Sequence, residues 1–206
     1  VFARSSTFSG DPAGIDDGVA FVRDEVMPML GEIAGCVGLS MMVDRETGEC
    51  IVTTSWESAD AMRASSDRLT AVRGRLGGML QAPASVQEWE IMAMHRTHKT
   101  EEGAGCRVTW FRTDHADVDQ GIDIYRTALL PRIEMLPGFC SASLMVDRSR
   151  SRACSTASFN TFEALDASRE EAWAIRDAGV REAGVDVIDA SEFELVIANL
   201  RVPELV

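Results

Sequence analysis

The sequence predicts an α+β fold of two tandem ferredoxin-like βαββαβ repeats, packed sheet to sheet as a pseudo-dimeric α+β barrel. Three observations carry that expectation. The first is an internal repeat: MMVDRET (41–47) returns as LMVDRSR (144–150), 103 residues later. At the same offset Arg23 meets Arg126, Pro28 meets Pro131, Gly35 meets Gly138, Thr53 meets Thr156 and Trp56 meets Phe159. A fixed period of this kind decides the architecture before any local pattern does. The second observation is a helical stripe of apolar residues behind an Asp in each copy. The third is a pair of alternating strands behind a glycine in each copy.

In chain order, FARSSTF (2–8) reads as a strand. Asp16 or Asp17 then precedes Val19, Val22, Val26, Met29 or Leu30, and Ile33, one face of a helix whose free N–H groups an Asp can satisfy. Asp119 precedes Ile122, Tyr125, Leu129, Ile133 and Leu136 in the same way. Pro28 and Pro131 fall late in the two stripes, where a missing N–H predicts a kink. Gly35 and Gly138 suit helix ends. CVGLSMMVD with CIVTTSW, and FCSASLMVD with ACSTASF, flank polar turns and predict hairpins. Ser58 and Thr161 are expected to cap a second helix, with Leu165, Ala172, Ile175 or Arg176, Gly179 and Ala183 along its buried stripe. SVQEWEIMAMH and SEFELVIANLRV supply the last strands. This order places a first repeat at 1–95, a linker at 96–104 and a second repeat at 105–206.

With 46% hydrophobic residues, the 206-residue chain has apolar material for a core in each repeat. A formal charge of −13 argues against nucleic acid as a partner, because phosphate binding rests on clustered Lys and Arg. No apolar run approaches the roughly 20 residues of a membrane span, so no membrane partner is expected. Cys36, Cys50, Cys106, Cys140 and Cys154 lack C-x-x-C spacing and lie in apolar strand-like runs, the pattern of buried free thiols in a cytoplasmic protein. Zinc spacing and phosphate loops are absent from the sequence, and no metal is expected.

The predicted hairpins are apolar or weakly polar on both sides. Val37, Leu39, Met41 and Val43 form one side, and Cys36, Gly38, Ser40 and Met42 the other. A sheet of that composition is buried on both faces. The second repeat is the nearest cover for the first, which makes the chain an internal pseudo-dimer and leaves a further homo-oligomer open.

Together these features resemble the antibiotic biosynthesis monooxygenase superfamily. The resemblance is carried by a Pro-bearing first helix running into a Gly strand start (LLPRIEMLPGFCSASLMVDR), by a third strand ending in an aromatic before a capped helix (TSWESADAM, ASFNTFEAL), and by an acidic-aromatic last strand (EWEIM, EFELV). It implies a dimeric α+β barrel, a scaffold shared by cofactor-free quinone-forming oxygenases, haem-degrading enzymes and proteins with no known activity. Haem-degrading relatives use a first-strand asparagine and a histidine nine or ten residues after a helix tryptophan. Glu182 and Ala183 stand at those distances from Trp173, so haem chemistry is not expected, and no cofactor is.

Cofactor-free oxygenases need an apolar pocket, an aromatic wall and a polar group that draws off a proton. His95, His98 and His115 read as surface histidines. Glu90 and Glu194 are candidate bases only if their side of the last strand is buried. Ser40, Ser143, Thr53 and Thr156 occupy equivalent strand positions and either direct a ligand's oxygen or are satisfied within the sheet. Tyr125, the sole tyrosine, lies on an apolar helix stripe. Aromatics are uneven: Trp110, Phe111, Phe139, Phe159, Phe162 and Trp173 belong to the second copy, against Ser5, Ser6, Cys36 and Thr70 in the first. Any open pocket is therefore expected in the second repeat, with Trp110 and Trp173 at the wall and Ser143 or Thr156 as the polar contact. The expected function is that of a cofactor-independent monooxygenase-like protein binding a small aromatic or apolar substrate between sheet and helices. The alternative is a non-catalytic small-molecule-binding or stress-response module.

Overall fold

The computed structural model of the chain describes residues 1–114 and 117–205. Its first repeat comprises β1 (Phe2–Ser9), α1 (Ile15–Phe21), α2 (Met27–Gly31), β2 (Cys36–Asp44), β3 (Glu49–Trp56), α3 (Ala59–Ala64), α4 (Ser66–Leu80) and β4 (Ser85–Arg96). The second comprises β5 (Gly105–Arg112), α5 (Val118–Ile124), α6 (Leu130–Glu134), β6 (Phe139–Asp147), β7 (Arg152–Phe159), α7 (Phe162–Ala167), α8 (Arg169–Ala183) and β8 (Asp186–Leu200). The strands run β4-β1-β3-β2 in one repeat and β8-β5-β7-β6 in the other, the ferredoxin-like order, and the hydrogen-bonded sequence of all eight is closed. Two compact units result, Val1–Trp89 with Leu195–Val202 and Glu90–Glu194 with Pro203–Val206. The last strand of each repeat is thus divided between them.

Pairing registers fix the repeat offset at 103. Thr7 lies opposite Ile51, and Trp110 lies opposite Cys154. The first-copy counterparts of Trp110 and Phe111 are therefore Thr7 and Phe8, which corrects the alignment with Ser5 and Ser6. Gly35 and Gly138 both take φ +78, and a Cβ there would stand 2.7 and 2.5 Å from the Cβ of Ala61 and Ala164. The helices themselves stop earlier, at Gly31 and Glu134, so these glycines serve the turns into β2 and β6, which only glycine makes without strain.

The prolines act one step earlier than a simple kink. Residues Val22–Val26 and Tyr125–Leu129 form a π-helical turn ahead of each proline, with the N–H of Met27 bonded to Val22 O and that of Leu130 to Tyr125 O. Proline cannot donate to the carbonyl four residues back and its ring crowds it, so the ladder widens by one residue. The second helix of each repeat is also modified, breaking at Ser65 and Ser168 into α3–α4 and α7–α8. Each serine hydroxyl turns back to the carbonyl three residues earlier, Ser65 to Met62 at 2.6 Å and Ser168 to Leu165 at 2.7 Å.

β8 starts five residues before the alternation of its apolar half, because Asp186–Ala190, although exposed, continues the ladder with β5, skipping Ile188 as a bulge. Ser40, Met42, Thr53 and Ser55 are buried, as expected for the second sheet face. All five cysteines are free, four of them buried and Cys36 half-buried. Among the described residues no helix is long and apolar enough to cross a membrane.

Candidate functional site

Between the helices and sheet of the second unit lies a cavity of ≈ 120 Å³; its counterpart in the first unit is ≈ 30 Å³. The same backbone makes both, so side chains account for the difference. Ser155, Ala157, Ala172 and Ala183 stand where the first copy has Val52, Thr54, Leu69 and Leu80. Leu76 is replaced by Gly179, but there the space is refilled: Leu129, in place of Val26, brings methyls to 2.5 and 2.7 Å from where a Gly179 Cβ would be. Left empty, ≈ 120 Å³ costs on the order of 3 kcal/mol of stability. The first copy avoids most of that cost with leucines.

Most of the lining is apolar, from Val118, Ile122, Leu144, Val146 and Ile175 to the rings of Phe111 and Phe159. Two hydroxyls meet in it, and a third lies on the neighbouring strand. The π turn carries Tyr125 into the wall, where its hydroxyl donates to Ser143 O at 3.2 Å and accepts from Ser155 Oγ at 3.2 Å. Thr109 lies directly across from Ser155 on the neighbouring strand. Burial pushes the Tyr125 phenol up to about 12, so it is a neutral hydrogen-bonding group at any physiological pH. Trp173 stands at the mouth, 45% exposed, with the Arg176 guanidinium 5.9 Å from its ring centroid.

Arg107 is buried in the cavity wall. Its Nε and Nη2 donate to Glu192 Oε1 at 3.0 and 2.8 Å, Nη2 to Leu165 O at 2.9 Å, and Nη1 to Ser168 Oγ at 3.3 Å. The first copy repeats this latch with Arg4, Glu88, Ser65 and Ser66. Burial raises the Glu192 carboxyl, but hydrogen bonds from Arg169 and Arg107 outweigh it and hold the group below the ordinary carboxylate range. The Arg107 charge is thereby matched by a carboxylate already in place.

Of the four residues singled out from the sequence, Trp173 lines the cavity. Trp110, Ser143 and Thr156 do not: the lining positions are Thr109 and Phe111 on β5, Leu144 and Val146 on β6, and Ser155 and Ala157 on β7. Side chains alternate with period two, so the three named residues belong to the opposite sheet face. Ser143 contributes its carbonyl to Tyr125 instead. Glu90 and Glu194 are half-buried and also absent from the lining. His98 is exposed, whereas His95 is not a solvated histidine. Its Nδ1 lies 2.6 Å from Glu204 Oε1 and its Nε2 3.4 Å from Glu134 Oε2. His115 lies outside the described residues. Among those residues no group of three or more His, Cys, Asp or Glu is placed to hold a metal. Tyr125 lies on the apolar helix stripe expected of it and also lines the cavity, together with Ser155, Thr109 and Arg107, which no sequence pattern singled out; the signal for the first two is the exchange of Val22 for Tyr125 and Val52 for Ser155 at offset 103.

No family model matches the chain. It is 49% identical over 206 residues to the uncharacterized protein Rv2557 of Mycobacterium tuberculosis, covering 100% of this chain and 92% of that protein. Among solved structures it is similar to an anthrone oxidase-like protein, at 14% identity and TM-score 0.66, over 95% of this chain and 91% of that one. It is also similar to a ferredoxin-fold protein from Listeria monocytogenes related to antibiotic biosynthesis monooxygenases, at 8% identity and TM-score 0.53, over 94% of each chain. At such identities the likeness is one of fold, the antibiotic-biosynthesis-monooxygenase type of α+β barrel.

Proposed function

The chain belongs to the family of the Mycobacterium tuberculosis protein Rv2557, its alignment spanning both repeats, and from that premise we propose that its second repeat binds a small apolar or aromatic molecule between sheet and helices. One observation carries this reading: at the same place in two copies of one fold the second has the larger space, with Ser155, Ala157, Ala172 and Ala183 where the first has Val52, Thr54, Leu69 and Leu80. Space kept open against its stability cost, apolar in its walls and fitted with a few converging polar groups, is what a binding site looks like. The polar groups suit holding an oxygen rather than removing a proton. Tyr125 is held protonated to about 12, Arg107 is matched by Glu192, and the carboxylate at the rim, Asp117, already accepts the N–H groups of Asp119 and Gln120.

Calorimetric titration with 2-naphthol and decan-1-ol tests the proposal. Binding is expected in the unaltered chain and a loss of at least tenfold in the double variant Ala172→Leu/Ala183→Leu, which restores the first copy's leucines. Equal binding by both proteins rejects the site. A second reading, cofactor-independent oxygenation, has the Tyr125 and Ser155 hydroxyls turn from Ser143 O and from each other to donate to the oxygen of a substrate enolate. Oxygen uptake with anthrone as the probe separates the two: uptake above the spontaneous rate, lowered by Tyr125→Phe, favours oxygenation over simple binding.

A further inference from the structure

β5 traces the cavity from inside to rim, presenting Thr109 and then Thr113 to it. Thr113 follows the strand, but its N–H still bonds to Ser151 O at 2.9 Å, so the extended ladder continues through it. Four residues at about 3.4 Å each put the two threonines about 14 Å apart. Thr113 is only 6% exposed, and its hydroxyl has no hydrogen-bond partner among the described residues. Buried hydroxyls are rarely left unpaired, and one carried by a residue that lines a cavity marks where a ligand oxygen, met by a turn about χ1, completes it. The first copy has Gly10 at this position, Val52 at that of Ser155 and Val22 at that of Tyr125. Hydroxyls therefore entered the wall at three places in the copy that also gained space, although Thr54 to Ala157 runs the other way.

Charge on the ligand is constrained by the same wall. Its ionic groups each have a counterpart: Arg107 has Glu192, Arg176 has Asp177 at 2.8 Å, and Asp117 has two backbone N–H groups at 3.0 and 3.1 Å. A carboxylate entering here would shed its water and meet no cation free to replace it.

Resting on the binding reading above, we propose that the cavity selects an uncharged, elongated molecule with two oxygen functions, one held by Thr109, Ser155 and Tyr125 and the other by Thr113. Decan-1-ol, decane-1,10-diol and decanoate share one chain and differ only in their ends, so they separate the two halves of the claim in a calorimetric titration of the whole protein. The diol is expected to bind at least fivefold more tightly than decan-1-ol, and decanoate at least tenfold more weakly. Thr113→Val, close to isosteric, should bring the ratio of diol to alcohol affinity near one, and Thr113→Ser should restore it. Decanoate binding as tightly as decan-1-ol, or a ratio indifferent to Thr113→Val, overturns the proposal. If decan-1-ol binds, and is lost in Ala172→Leu/Ala183→Leu, while the ratio ignores Thr113→Val, the two-oxygen claim fails and the binding reading stands. Failure of all three probes to bind the unaltered protein overturns this proposal, and the binding reading with it if 2-naphthol fails too.

Discussion

Tyr125 is both a wall of the cavity and a pH-sensitive part of the fold. Its phenol ionises near 10 in an unfolded chain and is pushed up to about 12 by burial, which outweighs the lowering by the Ser155 hydrogen bond. A raised folded value means stability that is complete below pH 10 and lost as pH climbs towards 12. The two-unit shift corresponds to about 2–3 kcal/mol. Cys106 and Cys154, also pushed to about 12, and Cys50, pushed to about 11, all by burial, start the alkaline decline near pH 9. Tyr125→Phe is therefore expected to cost about 1–2 kcal/mol at pH 7, through the partners lost by Ser143 O and Ser155 Oγ. Above pH 10 the gap to the unaltered protein should narrow; urea unfolding at pH 7 and pH 11 checks both statements. The thiols give a second residue-level expectation. With the other four buried, Cys36 should be the first to react with a thiol reagent at pH 8, the rest following only at the unfolding rate.

At the scale of elements, the arginine latches tie the first strand of each repeat to the break in its second helix. Glu192, held below its ordinary value, contributes stability that is present above about pH 4.5 and lost as pH falls through its folded value. Glu192→Gln should therefore flatten the acid arm of the stability profile. Arg107→Met, which removes the buried partner of Glu192 and leaves the Leu165 carbonyl with the Ser168 hydroxyl alone, is expected to cost about 2–4 kcal/mol in denaturant unfolding. Much of this layer was legible beforehand. The element order, the Ser58 and Thr161 caps and the α8 stripe of Ala172, Gly179 and Ala183 followed from spacing and turn chemistry. Two features were not. Period-two alternation separates the sheet faces but does not say which one the helices cover, and on β5 and β7 both faces mix apolar and hydroxyl side chains, with the charged Arg107 on the covered side. Hence Trp110, Ser143 and Thr156 fell on the wrong face for the cavity. The early start of β8 was hidden because an exposed strand of mixed polarity carries no hydrophobic period, only backbone hydrogen bonds to β5.

Across the molecule, duplication has left one repeat filled and one open. Filling the open one should reverse the arrangement: Ala172→Leu/Ala183→Leu is expected to raise stability by up to about 2 kcal/mol while removing binding, a trade of function for packing. Destabilisation with binding intact would show that the leucines do not enter the cavity. The central claim, that this space receives a ligand, is tested most directly by diffraction from crystals grown with 10-bromodecan-1-ol and measured at the bromine edge. The account predicts one bromine peak in the second repeat, between α8 and strands β5 and β7, near Thr113 and more than a strand's width from Arg107. A peak between the helices and sheet of the first repeat, or none in either, would contradict it.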